Sequence, residues 1–166
     1  GEVKMKRDLY EKIVSYVVKN QNKFYRLAYS YVRDREDALD AVQSAVCKAL
    51  ENYGGIRNEG AINTWFYRIL VNESLAVLKE RRRMPLQGEN QEEGRYEERG
   101  FDIQDDLYDE INRLDSETQT IIKLRFFEEL TLKEIGEVLE INLNTVKAKL
   151  YRGLKQLRVN MQEVDV

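Results

Sequence analysis

A chain of 166 residues, with 42% hydrophobic and 34% charged side chains and a net charge of −3, has material for one domain or two small ones with modest cores. It holds no histidine and one cysteine. This excludes an internal disulfide, the usual zinc sites and Ser-His or Cys-His nucleophile pairs, so no catalytic residue, cofactor or metal is expected, with a carboxylate-only metal site left open.

A single proline and long runs of helical periodicity predict an all-α protein. No apolar run reaches the roughly 18 residues of a membrane span, and no signal-peptide pattern opens the chain, which points to the cytoplasm. Leu9 to Val32 reads as one or two helices: Leu9, Ile13 and Val17 recur every four residues, and Phe24, Leu27, Ala28 and Tyr31 form the next stripe. Asn20-Gln21-Asn22 marks a break or kink between them. Tyr10, Tyr16, Tyr25, Tyr29 and Tyr31 are read as core-edge residues, with a sticky surface as the alternative.

Arg33-Asp34-Arg35 is a polar turn in which Asp34 can cap the next helix, residues 36–50. There Ala38, Ala41, Val42, Ala45, Val46 and Ala49 make a narrow stripe of small residues, and Asp37, Asp40 and Gln43 lie outside it. The helix is either ordinarily packed or a docking surface for a partner's helices. Cys47, among alanines and valines, reads as a small buried residue rather than a reactive thiol. Asn52 to Gly60 is a loop by its glycines and asparagines. The following helix, Ala61 to Arg83, has a core stripe of Ile62, Phe66, Ile69 and Leu70, while Trp65, Tyr67, Arg68, Asn72, Lys79 and Arg81-Arg82-Arg83 add aromatic and basic character. Such interleaving suits single-stranded nucleic acid, although Trp65 also fits a core position and the arginine run also complements the helix dipole.

Charge divides the chain into three. Residues 1–83 carry net +5, residues 84–106 net −6 and residues 107–166 net −2. The middle segment, with almost no apolar residues, reads as a flexible acidic linker. Its extended reach is roughly 75 Å, about two turns of DNA at ~34–36 Å each. Two small helical domains, 1–83 and 107–166, are therefore expected on either side of linker 84–106.

In the second domain Leu107, Ile111 and Leu114 align on a short helix. Asp115 or Ser116 caps the next, which runs to about Phe127 with Ile121, Ile122, Leu124 and Phe126 apolar. Thr131 and Glu134 have capping-box spacing for a third helix, whose apolar face is Ile135, Val138 and Leu139. Asn142 caps a fourth, with Val146, Leu150, Leu154 and Leu157 on one stripe. The opposite face holds Asn144, Ala148, Tyr151, Arg152 and Lys155, flanked by Lys147 and Lys149. From Leu143 to Arg158 there are five basic residues and no acidic one. Caps, turn, stripe and charge agree on a helix-turn-helix whose second helix suits the major groove; a solvated basic face on an ordinary helix pair is the plainer alternative. Gln162 to Val166 is expected to fray.

With these parts in this order, the chain resembles the extracytoplasmic-function group of bacterial sigma factors. DREDALDAVQSAVCKAL resembles the family's core-polymerase-binding helix, INTWFYRILVNESLAVLKERRR its −10 element helix, and LKEIGEVLEINLNTVKAKLYRGLKQLR its −35 helix-turn-helix. The resemblance implies a protein without cofactor or small-molecule substrate that binds RNA polymerase core (β′ clamp helices and β flap), directs it to promoter DNA, helps open the −10 region, and pairs with a membrane-bound anti-sigma factor. By the same resemblance Leu39, Asp40, Val42, Gln43 and Val46 would face polymerase. Ile56, Arg57, Asn58, Asn63, Arg68, Asn72, Lys79, Arg81, Arg82 and Arg83 would meet the −10 element, the loop holding a flipped base. Asn144, Thr145, Lys147, Ala148, Lys149, Tyr151, Arg152 and Lys155 would meet the −35 element, Arg152 reading guanine or a phosphate.

Three positions depart from the family's habit. Ser44 stands where Glu is frequent. Gly136 replaces a common Ala, at about 1 kcal/mol of helix propensity. Glu140 sits at a turn position often held by Gly. The rival readings are a stand-alone helix-turn-helix regulator and, more remotely, a nucleic-acid enzyme.

Overall fold

A computed structural model of the chain describes residues 2–83 and 102–164. The chain forms two compact units, Gly1–Pro85 and Leu86–Val166. Both are helical, and no strand occurs among the described residues. Residues 84–101 of the expected linker lie outside them, as do residues 165 and 166.

The first unit contains α1 (Glu2–Val32), α2 (Arg35–Glu51) and α3 (Ile62–Arg83), each packed on the other two. α1 is one continuous helix, so the break expected at Asn20-Gln21-Asn22 does not occur. The Asn20 amide donates to the Tyr16 carbonyl at 2.8 Å, satisfying itself along the helix instead of competing with it. Ile13, Phe24, Leu27, Ala28 and Tyr31 supply the buried face of α1. Arg33, at φ 53°, turns the chain, and Asp34 caps α2 by accepting from the Asp37 N–H at 3.0 Å. Ala38, Ala41, Ala45 and Ala49 are fully buried; four methyl-sized side chains let α2 lie close against its neighbours.

α3 buries Ile62, Phe66, Tyr67, Leu70 and Val71. Tyr67 belongs to the core, outside the stripe expected from the sequence, while Trp65 and Ile69 are only half-buried. The centre is aromatic: the Phe24 and Phe66 centroids are 4.5 Å apart and Phe24 meets Tyr67 edge-on at 5.5 Å. The tyrosines divide: Tyr16, Tyr25 and Tyr29 are half-buried core-edge residues, Tyr31 is buried and Tyr10 is exposed. Cys47 is exposed, contrary to expectation, because it falls beside the alanine stripe and not in it. Glu73, nearly buried, forms an ion pair with Lys48 across α2 and α3.

The second unit contains α4 (Asp102–Asn112), α5 (Ser116–Ile122), α6 (Leu132–Leu139) and α7 (Leu143–Val164). α4 begins five residues before the expected Leu107 because Asp102 to Asp106 continue the helix. Asp115, not Ser116, caps α5, accepting from the Thr118 N–H at 3.1 Å and its hydroxyl at 2.7 Å. After Ile122 the helix widens into a π-helical turn, Lys123–Phe127. There Lys123 is buried and donates to Asn112 Oδ1 at 2.8 Å and Gln119 Oε1 at 3.2 Å, whereas Phe126, expected inside, is 53% exposed. Glu129, at φ 58°, then lets the Leu130 N–H reach the Leu124 carbonyl at 3.0 Å.

α6 opens with the full capping box of Thr131 and Glu134. It closes on Glu140 in the left-handed region, φ 57°, with the Ile141 N–H on the Gly136 carbonyl at 3.0 Å. The same turn explains Gly136: a Cβ there would stand 2.8 Å from the Ile141 carbonyl oxygen. The glycine is a packing requirement of this turn, and not only a loss of helix propensity. α7 is capped by Asn142, whose Oδ1 accepts from the Thr145 N–H at 2.8 Å. Val146, Leu150 and Leu157 are buried and Leu154 half-buried, so this long helix is seated by the stripe read from its sequence.

Candidate nucleic-acid interface

Packing the stripe of α7 inward turns its other side outward. Asn144, Lys147, Ala148, Tyr151, Arg152 and Lys155 are exposed, Tyr151 by 66%. At about 100° per residue they occupy one broad face without an acidic side chain. Two candidates are held differently. Thr145 is half-buried, its hydroxyl donating to the Asn142 cap at 3.0 Å. Lys149 points along the flank toward α5, its Nζ at 3.3 Å from Glu117 Oε1 and 3.8 Å from Asp115 Oδ2. The Asp115 carboxyl is held below its ordinary pKa, first by the Thr118 hydroxyl hydrogen bond and further by the Thr118 N–H and Lys149, with burial opposing.

In the first unit, residues 53–61 form two short 3-10 turns, Tyr53–Gly55 and Glu59–Ala61. Between them Arg57 and Asn58 are exposed and Ile56 is half-buried. On α3 the candidates separate by face. Arg68, Asn72, Lys79 and Arg83 fall on one stripe by the helical repeat, with Asn72, Lys79 and Arg83 exposed and Arg68 half-buried; Arg82 is exposed beside them. Asn63 and Arg81 fall on the opposite face. Asn63 Oδ1 accepts from the Tyr16 hydroxyl, and Arg81 pairs with Asp37 at 2.5 Å and approaches Asp34 at 3.9 Å. Burial raises the Asp37 pKa despite the adjacent guanidinium.

α2 presents a different chemistry. Leu39 is 42% exposed, Asp40 and Gln43 are exposed, and Val42 and Val46 are half-buried at the edge of the alanine stripe. Cys47, one turn beyond Gln43, shares this mixed face. Its exposure follows from the helical repeat, which sets it beside the alanine stripe, whereas the small residues around it suggest burial.

Residues 16–84 match the family described as Sigma-70 region 2, and residues 104–157 match Sigma-70, region 4. RNA polymerase sigma factor SigV of Bacillus subtilis is 37% identical over 155 residues, 93% of each chain. ECF RNA polymerase sigma factor SigW of the same organism is 24% identical, covering 87% of this chain and 86% of its own. The chain belongs to the extracytoplasmic-function group of the sigma-70 family.

Solved structures share the fold. The structure of CnrH in complex with the cytosolic domain of CnrY superposes with a TM-score of 0.69 at 16% identity, over 91% of this chain and 88% of that one. Sigma factor RpoE in complex with the anti-sigma factor NepR from Bartonella quintana gives 0.64 at 17%, over 96% and 97%. Sigma-70 region 2 thus covers α1 from Tyr16 through α3, and region 4 covers α4 to Leu157 of α7. No helix among the described residues of this sigma factor is long and apolar enough to cross a membrane.

Proposed function

We propose that this sigma factor joins RNA polymerase core through the outward face of α2, with Leu39, Asp40, Val42, Gln43 and Val46 against the β′ clamp helices, and that region 4 meets the β flap. The loop at Ile56, Arg57 and Asn58, with the Arg68, Asn72, Lys79 and Arg83 stripe and Arg82, takes the opened −10 strand. The face of Asn144, Lys147, Ala148, Tyr151, Arg152 and Lys155 lies in the −35 major groove, where basic side chains neutralise phosphates and position base contacts. Asn63, Arg81, Thr145 and Lys149 support these surfaces from the side. The observation that carries the reading is the order of the two sigma-70 matches in one chain, with a relative aligned along 93% of it. The protein acts by binding and has no chemistry of its own. Because a solved relative was captured with an anti-sigma factor, an inhibitor of that kind is part of the proposal, membrane-bound as the resemblance implies. Its place of action is the cytoplasm.

Purified polymerase core with this protein tests the reading by transcription in vitro. Initiation at a cognate promoter that core alone does not use is expected; failure both to bind core and to initiate anywhere overturns it. In the same assay Asn72→Ala impairs opening more than duplex docking. Arg152→Ala costs about 1–3 kcal/mol at −35 if it reads a base, and weakens all sequences equally if it holds a phosphate.

A further inference from the structure

The loop proposed to read the −10 strand has little to hold it in place by itself. Neither of its short turns has a side-chain cap, and its backbone hydrogen bonds are local: Gly55 N–H to the Asn52 carbonyl, Ile56 N–H to Tyr53, Ala61 N–H to Asn58. A Cβ on Gly54 or Gly55 would meet nothing within 4 Å, so the first turn packs against no other part of the chain at those positions. Its ends are continuous with α2 and α3, through the Asn52 N–H on the Lys48 and Ala49 carbonyls and the Thr64 hydroxyl on the Ala61 carbonyl, and the contacts from outside the segment come from α1. The Tyr10 ring meets Tyr53 edge-on with centroids 5.6 Å apart. Lys12 Nζ lies 2.5 Å from Glu59 Oε1. The Tyr16 hydroxyl donates to Asn63 Oδ1 at 2.5 Å, while its ring rests on Phe24 and Phe66 at 5.5 and 6.0 Å. One contact precedes Ile56-Arg57-Asn58 in sequence and two follow it.

From this geometry we infer that the N-terminal half of α1 is the positioning element for −10 recognition, with Tyr16 its central residue and Lys12 and Tyr10 its auxiliaries. The inference rests on the reading of Ile56, Arg57 and Asn58 as the −10 loop. Tyr16 suits the role because its ring belongs to the aromatic core while its hydroxyl reaches the first turn of α3. The loop is therefore referenced to the aromatic core of the unit. Preorganisation of this kind lowers the ordering cost that a mobile loop would meet on binding a splayed strand. Lys12 and Glu59 are 52% and 60% exposed at their side chains, so their pair is screened and contributes less.

The test uses full-length protein on polymerase core. The probe is a fluorescent single strand carrying the −10 segment of a promoter that the same holoenzyme selects from a random-sequence library. Tyr16→Phe keeps the ring and removes only the hydroxyl. It is expected to weaken strand binding about 5-fold, the worth of one hydrogen bond, and to relax base preference at the flipped position. Melting temperature falls by no more than the roughly 4–8 °C that one such bond is worth in a unit of this size, and −35 duplex binding stays unchanged. Asn63→Ala gives a similar loss, and the double variant is no worse than Asn63→Ala alone, as coupled partners require. Lys12→Ala gives a smaller loss that vanishes at high salt. If Tyr16→Phe binds normally while Asn63→Ala does not, or if the two losses add, the positioning role is overturned and the loop assignment stands. If Tyr16→Phe lowers melting temperature and weakens strand and duplex alike, the residue is structural and the inference fails. If Asn58→Ala, Asn63→Ala and Asn72→Ala all bind normally, the loop assignment falls and takes the inference with it.

Discussion

Asp115 shows how much a single side chain settles in the second unit. Its carboxylate caps α5 through both the N–H and the hydroxyl of Thr118 and stands beside Lys149. These contacts favour the charged form and depress its pKa. A depressed carboxylate contributes stability that is present above its unfolded value and is lost as pH falls through the folded one. Urea midpoints followed by circular dichroism are therefore expected to hold from neutrality downward and to decline once pH passes below the ordinary carboxylate range. Asp115→Asn, which retains a cap but not the charge, flattens that decline. Asp37 works in the opposite sense, since burial raises its pKa, so the two residues are separable by domain. Asp115 was legible as a cap from its place before a helical run. Its pairing with Lys149 was not, because the partner lies 34 positions further on.

At the scale of the element, the recognition helix is decided by a residue that carries no side chain. A Cβ on Gly153 would stand 2.6 Å from Thr118 Cγ2 and 2.9 Å from Ile122 Cδ1, so the α5 side chains leave no room there for even a methyl group on α7. Gly153→Ala is expected to destabilise by about 1–3 kcal/mol, the range for overpacking a filled site. The loss of −35 binding should follow the loss of folded protein in a denaturant titration; binding lost at full stability would contradict this. Nothing in the sequence marks Gly153, and only its neighbours from α5 make it a requirement. α1 makes the converse point. Its three consecutive amides resemble a break, yet Ile13 and Val17 before them and Phe24 and Leu27 after them are all buried on the same pair of helices, and that burial outweighs the local preference.

At the scale of the molecule, each unit has a centre of its own: Phe24, Phe66 and Leu70 in the first, Ile121, Leu124, Ile135 and Val146 in the second. Fragments 1–85 and 86–166 are accordingly expected to fold separately, each with helical circular dichroism and one cooperative urea transition. A fragment that stays unfolded alone would show that its core is incomplete. Under the proposed function, two modest grips joined in one chain are expected to bind polymerase and promoter far more tightly than either fragment, by effective concentration.

The chain by itself determined the all-helical class, the capping box at Thr131 and Glu134, the seating stripe of α7 and the family to which these belong, because each rests on spacing within a few turns and spacing is local. Tertiary structure alone decided that Lys149 and Arg81 turn toward their own chain's carboxylates, that Tyr67 is inside while Phe126 and Cys47 are outside, and that Tyr16 grips Asn63. Those outcomes depend on which side chains meet across distances of tens of residues, and burial, charge pairing and steric fit act only once the helices have been brought together.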